Sequence, residues 1–95
     1  MNKERRKTIR NIIERITEDN LEDIKYEIES VLSDEEYAFE CMPEGLQYSM
    51  RGEASQEAQD NLQNAIDVID EFLEADEEDM DVISEVQSYL EEAAI

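Results

Sequence analysis

Apolar residues in the first part of the chain recur with the 3.6-residue period of an α-helix. Two groups follow one another: Ile9, Ile12, Ile13 and Ile16, then Leu21, Ile24, Ile28, Val31 and Leu32. At about 100° per residue, the second group is rotated by roughly 90° from the first. Either the apolar face is wide, or the helix is interrupted at 17–20, where Thr, Glu, Asp and Asn are good capping residues. We favour one long, bent helix over about 3–41.

A turn and two further helices are predicted after this segment. Pro43 disfavours helical backbone in the residue before it, and Gly45 suits a turn. A second helix is predicted over about 52–75 and a third over about 79–94, separated by an acidic interruption that can cap the third helix. Their apolar stripes are Ala54, Ala58, Leu62, Ala65, Ile66, Ile69, Phe72 and Leu73, then Met80, Ile83, Val86, Leu90 and Ala94.

The predicted elements make a single all-α domain over 1–95. Two glycines and one proline provide too few turns for a sheet protein. A first helix of about 38 residues spans about 57 Å, roughly the length of the other two helices placed end to end. A long helical hairpin of that kind and a compact three-helix bundle both fit, and short connections favour antiparallel neighbours in each.

Charge changes this picture most, because 28 acidic residues oppose 8 basic ones and the net charge is −20. Direct binding of nucleic acid or of an anionic membrane is therefore not expected, whereas basic proteins are natural partners. The basic residues cluster near the start: Lys3, Arg5, Arg6, Lys7, Arg10 and Arg15. We expect this end to pair with the C-terminal acids Glu85, Glu91 and Glu92. A contact in an antiparallel dimer and an arm that touches nucleic acid are the alternatives.

Several chemistries are not expected. The chain has no histidine and no glycine-rich phosphate loop, and Cys41 has no base to activate it, so we predict no catalytic residues, no cofactor and no enzyme. Cys41 is expected to be a buried structural residue. The acids at 76–81 lack the alternation and the glycine of a calcium loop, so no metal site is expected. Without an apolar run long enough to span a membrane or to form a signal peptide, we expect a cytoplasmic protein.

The acidic helices suggest a binding surface. No basic residue follows Arg51, so these helices lack the Glu–Lys pairs that stabilise most exposed helices. A solvated face is the ordinary explanation, but the one-sidedness favours binding of a partner, and closely spaced carboxylates can mimic the charge of a nucleic acid. The candidate partner-binding residues are Glu57, Asp60, Asp67, Asp70, Glu71, Glu74, Asp76, Glu77, Glu78, Asp79 and Asp81.

Two aromatic residues near the first turn have two interpretations. Tyr37 and Phe39 lie on different faces of one helical turn. We expect both to pack onto the loop around Pro43. The alternative is that they anchor a partner, because aromatic side chains are frequent in binding hot spots.

One stretch resembles a known group of proteins. The residues EEYAFECMPEGLQ at 35–47, then Arg51-Gly52-Glu53 and NLQNAI at 61–66, resemble short acidic helical proteins of unknown function that bacteriophages and prophages encode. The likeness covers about 35–73, and its distinctive element is Met-Pro-Glu-x-Leu-Gln. Cys41 departs from the pattern, which has a polar residue there. The resemblance implies a viral or mobile-element origin, but no activity.

Together these observations predict a non-catalytic acidic module that docks on a basic groove of a host nucleic-acid-binding protein. Small acidic phage proteins often inhibit such enzymes, defence nucleases such as CRISPR nucleases among them, so an inhibitor in the bacterial cytoplasm is the implied role. The alternative is a homo-oligomeric, coiled-coil-like module in which the first helix pairs with its copy. A DNA-touching accessory protein is a third, minor interpretation.

Overall fold

The computed structural model describes residues 2–75 and 81–95, and the regular structure in these ranges is helical throughout. Its helices are α1 (Lys3–Arg15), α2 (Leu21–Glu40), α3 (Glu44–Gln47), α4 (Met50–Ala75) and α5 (Val82–Ala93), with a 3₁₀ turn at Glu18–Asn20. The all-α class is therefore confirmed. The second predicted helix begins at Met50 rather than 52, and residues 76–80, where the third was predicted to begin, lie outside the described ranges.

The first predicted helix is in fact two helices. α1 ends at Arg15, and the next residue, Ile16, has a φ of −64° and a ψ of 129°, which are those of extended backbone. The side chain of Asn20 stabilises the break: its Oδ1 accepts from the Thr17 N–H at 2.8 Å, and its Nδ2 donates to the Arg15 carbonyl at 2.8 Å. One continuous helix over 3–41 was thus the wrong prediction, and the alternative interruption near 17–20 occurs. Folding back lets the two rotated apolar stripes face one core.

Four helices surround that core. α1 packs against α2 and α5, and α4 packs against the same two helices, so α1 and α4 lie diagonally opposite each other. Pairs of contacts at the two ends show that α1 and α2 are antiparallel and that α2 and α4 are antiparallel. The bundle measures 45 × 22 × 18 Å. It has one more packed helix than predicted because the chain reverses at 16–20. Fully buried core residues include Ile9, Ile12, Leu21, Ile24, Ile28, Leu62, Ile69, Val82, Val86 and Leu90.

A glycine lets α3 pack closely on α4. Gly52 is buried, and a β-carbon built there would lie 2.7 Å from the carbonyl oxygen of Leu46 and closer still to that of Gln47. Gln47 in turn joins α3 to the end of α2, because its Nε2 donates to the carbonyl of Phe39 at 3.2 Å. The close approach at Gly52 and the hydrogen bond of Gln47 thus hold α3 against α4 and the end of α2.

No helix in the described ranges is long and apolar enough to cross a membrane.

Candidate partner-binding surface

A row of acidic residues runs along the solvent side of α4. Its opposite side, with Ala58, Leu62, Ala65 and Ile69, is buried in the core, so the row faces outward. The row alternates steps of three and four residues, which keeps its members on one side of the helix. We define the acidic strip as six exposed residues that follow this spacing, interrupted once by Asn64: Glu53, Glu57, Asp60, Asp67, Glu71 and Glu74. The strip spans about 32 Å.

Five of the predicted partner-binding residues lie in the acidic strip: Glu57, Asp60, Asp67, Glu71 and Glu74.

Asp70 does not lie in the strip. It faces α2, where its Oδ1 accepts from Nζ of Lys25 at 2.5 Å. This hydrogen bond, aided by the charges of Asp70 and Glu29, raises the pKa of Lys25.

Of the remaining predicted residues, Asp81 is exposed just before α5. The others, Asp76, Glu77, Glu78 and Asp79, lie outside the described residues.

Glu53, the first acid of the strip, was not among the predicted partner-binding residues. The sequence spacing identifies it, because Glu53 precedes Glu57 by four residues and extends the three–four spacing toward the N-terminus of α4. Met50 stands three residues earlier on the same row and is exposed. The row therefore begins with an apolar side chain and continues with acids.

The strip carries almost no compensating charge. The carboxylates in ion pairs within the described ranges are those of Glu27, Glu29, Glu35 and Asp70, and none of them belongs to the strip. Strip residues meet one another instead, at three or four residues' separation: Glu53 with Glu57, Glu57 with Asp60, Asp67 with Glu71, and Glu71 with Glu74. Each such like-charge pair costs a few tenths of a kcal/mol, so the arrangement lowers the stability of the helix.

The basic N-terminus pairs with α2 rather than with the C-terminal acids. Nη2 of Arg15 lies 2.7 Å from Oε1 of Glu27, and this hydrogen bond raises the pKa of Arg15. Nε of Arg5 lies 2.7 Å from Oε2 of Glu35. The predicted partners Glu85, Glu91 and Glu92 form no ion pair with α1 in the described part of the chain. The break at 16–20 places α1 between α2 and α5, and its residues Arg5 and Arg15 form their ion pairs on the α2 side.

The remaining exposed basic residues of α1 face away from the acidic strip. Lys3, Lys7 and Arg10 lie on the outer side of α1, which is diagonal to α4 across the bundle. A partner that contacts the strip therefore does not meet these cations.

The apolar stripe of the first predicted helix, which together with its basic end motivated the homo-oligomer alternative, lies inside the bundle. Ile9 and Ile12 are fully buried and Ile16 nearly so. The stripe is therefore used within the chain and is not available to a second copy.

Cys41 and Tyr37 are exposed, and both were predicted to be packed. Cys41 follows the last turn of α2, with its side chain outside the core. Tyr37 is 70% exposed, whereas Phe39 is partly buried. A hydrogen bond between the Tyr37 and Cys41 side chains, together with the charge of the cysteine, raises the pKa of Tyr37.

A cleft of about 210 Å³ lies beside the N-terminal part of the strip, between α4 and the end of α5, and its lining includes Ala54, Ala58, Glu57, Glu92 and Ile95. Among residues 2–75 and 81–95, no cluster of three or more acidic or cysteine residues could hold a metal ion.

No family model, curated protein or solved structure matches the chain, so the acidic strip and its surroundings carry the functional interpretation.

Proposed function

We propose that the protein is a non-catalytic binding module that docks the acidic strip of α4 into a basic groove of a nucleic-acid-binding protein. The observation that carries this proposal is the three–four row of six carboxylates, in no ion pair within the described ranges, on one exposed helix face. A protein groove that binds nucleic acid is lined by Lys and Arg, which attract phosphates and would equally attract these carboxylates.

The dimensions of the strip suit such a groove. Its length of about 32 Å corresponds to about nine base pairs at 3.4 Å of rise. Six carboxylates over this length give one charge about every 5–6 Å, sparser than the phosphates of one strand. The strip therefore imitates the line of charge along a backbone, and not the full charge density of a duplex.

The energetic cost of the strip also supports a role outside folding. Four like-charge neighbours, at a few tenths of a kcal/mol each, lower stability by about 1–2 kcal/mol. A small four-helix domain has little stability to spare. A partner whose cations neutralise the strip on binding would explain why it carries acids alone.

The resemblance of residues 35–73 to short phage-encoded proteins supports a more specific role. We propose a phage or prophage product that inhibits or modulates a bacterial enzyme by occupying its nucleic-acid groove in the host cytoplasm. Defence nucleases are the class of target that this origin favours.

Capture from a bacterial lysate tests the proposal. Tagged protein is immobilised, washed at low salt, and then eluted with about 0.5 M NaCl, a concentration that screens exposed charges strongly. We expect nucleic-acid-binding proteins in the eluate, identified by mass spectrometry. The matched control is a variant with four strip residues neutralised (Glu57→Gln, Asp60→Asn, Asp67→Asn, Glu71→Gln), which should retain none of them. Proteins that stay bound at high salt, or that bind the neutralised variant equally, would contradict docking by charge.

A further inference from the structure

Large apolar side chains are exposed mainly at one end of the bundle. Five of the seven exposed large apolar side chains in the described ranges lie there: Ile95 at 87%, Met50 at 86%, Tyr48 at 79%, Tyr37 at 70% and Leu46 at 41%. The other two, Tyr26 at 59% and Leu73 at 45%, lie away from this end. Met50 begins α4, and Leu46 and Tyr48 belong to α3 and its connection. Isolated apolar residues on a surface need no explanation, but a concentration of this kind marks an interaction site.

This apolar end adjoins the N-terminal end of the acidic strip. Met50 lies on the same row as Glu53 and Glu57. Ile95 and Glu57 both line the cleft of about 210 Å³ between α4 and α5, whose floor includes the small side chains of Ala54 and Ala58. The row of carboxylates therefore ends in an apolar surface with a shallow cleft beside it.

The acids around this end indicate what can cover it. Glu40, Glu44 and Glu53 are exposed within the same segment of the chain, where they outnumber the exposed Arg51. With a net charge of −20, a second copy of the protein would bring like charge against this rim and be repelled. A cationic surface gains attraction there instead, so charge complementarity selects a basic partner.

We propose that Tyr48 and Met50 form an apolar anchor that sets the position and direction of the acidic strip on its partner, a protein whose basic groove has an apolar surface at one end. This inference rests on the proposed function. Charge steers the two surfaces together, but it fixes register weakly, because a uniform row of acids can slide along a row of cations. A desolvated aromatic and aliphatic contact at one end removes that freedom.

Synthetic helical peptides test the anchor without knowledge of the natural partner. The first probe carries arginines at alternating three- and four-residue steps on an alanine background. Two further probes add a Leu-Leu-Trp cluster at its N- or C-terminus. Binding of each peptide is measured by fluorescence anisotropy in physiological salt. We expect one of the two peptides that carry the Leu-Leu-Trp cluster to bind about tenfold tighter than the first probe.

The variant Tyr48→Ser/Met50→Ser should lose this advantage. The control Tyr26→Ser/Leu73→Ser removes one aromatic and one aliphatic exposed residue away from this end, and it should keep the advantage. Equal binding of all three peptides to the unmodified protein, or an advantage that survives in the Tyr48/Met50 variant, overturns the anchor.

If the proposed function is wrong, the peptide experiment gives a different result from the one that overturns the anchor alone. If the first probe binds the variant with four neutralised strip residues as tightly as it binds the unmodified protein, the strip is not the docking surface. The anchor can fail while binding to the strip persists, so the two outcomes are distinguishable.

Discussion

The carboxylate of Glu35 is buried among the helices and accepts a hydrogen bond from Nε of Arg5 at 2.7 Å, across 30 positions of sequence. Oγ of Ser55 donates to the other carboxylate oxygen at 2.9 Å. These bonds join the start of α1, the last turns of α2 and the start of α4. One of the many acids of this chain therefore belongs to its core, where it connects three helices.

Arg5 should be far more important for stability than the other arginines of α1. Arg5→Met removes the guanidinium but keeps an apolar stem, so the buried Glu35 carboxylate loses its ion pair with Arg5. Breaking a buried pair in this way costs about 3 kcal/mol, which urea denaturation would measure.

Arg10→Met is the matched control, because Arg10 is exposed and should change stability by less than about 0.5 kcal/mol. In Arg5→Met/Glu35→Met the buried charge is absent, and most of the loss should be recovered. An Arg5 variant as stable as the Arg10 variant would show that the buried pair is not important for the fold.

The two glycines should respond oppositely to alanine. At Gly52 a methyl group would overlap the carbonyl oxygens of α3, so Gly52→Ala should destabilise the protein by about 1–3 kcal/mol. At Gly45 no atom lies within 4 Å of the added carbon, and Gly45→Ala should be neutral or stabilising, because alanine has the higher helix propensity. Thermal melts of the two variants compare them directly. Equal melting temperatures would mean that α3 does not pack on α4 at Gly52.

Tyr37 should ionise at higher pH than an ordinary tyrosine. Its hydrogen bond with Cys41 and the charge of that cysteine favour the protonated phenol and so raise the pKa of Tyr37. Cys41→Ala removes both effects and should lower the pKa of Tyr37. Absorbance titration near 295 nm in a Tyr26→Phe/Tyr48→Phe/Tyr89→Phe background isolates the one tyrosine. An identical titration with and without Cys41 would mean that the two side chains are not in contact.

Salt should stabilise the protein. Unpaired acids of like charge repel one another along α4, whereas few ion pairs in the described ranges would be weakened by screening. Raising NaCl from low salt to about 0.5 M should increase the melting temperature by about 5 °C. The variant with four neutralised strip residues should melt higher at low salt and respond less. A melting temperature that falls with salt would mean that attractive pairs dominate.

Periodicity was sufficient to predict the helical class and most of the core. It failed at 16–20 because a rotated stripe fits both a wide helix and a reversal. The side chain of Asn20 decides between them through bonds to Thr17 and Arg15. With the reversal unknown, the partners of Arg5 and Arg15 could not be predicted either.

The burial of Glu35 and the place of Glu53 in the acidic strip could have been predicted from their spacing in the sequence. Glu35 follows Ile28 and Leu32 on one helical face, which indicates burial, and Glu53 continues the three–four row of the strip. The exposure of Cys41 and Tyr37 could not have been predicted in this way, because it depends on how α3 packs after Pro43.

Competition with nucleic acid tests the central claim, that the acidic strip occupies a nucleic-acid groove. A protein captured from lysate is bound to a fluorescent oligonucleotide, and displacement of the oligonucleotide is followed by anisotropy. A control variant neutralises four exposed acids of α2 instead of the strip: Glu22→Gln, Glu29→Gln, Asp34→Asn and Glu36→Gln. We expect displacement by the unmodified protein and by this α2 variant, and none by the strip variant at the same concentration. Equal displacement by both variants would show that net charge alone, and not the row on α4, accounts for binding.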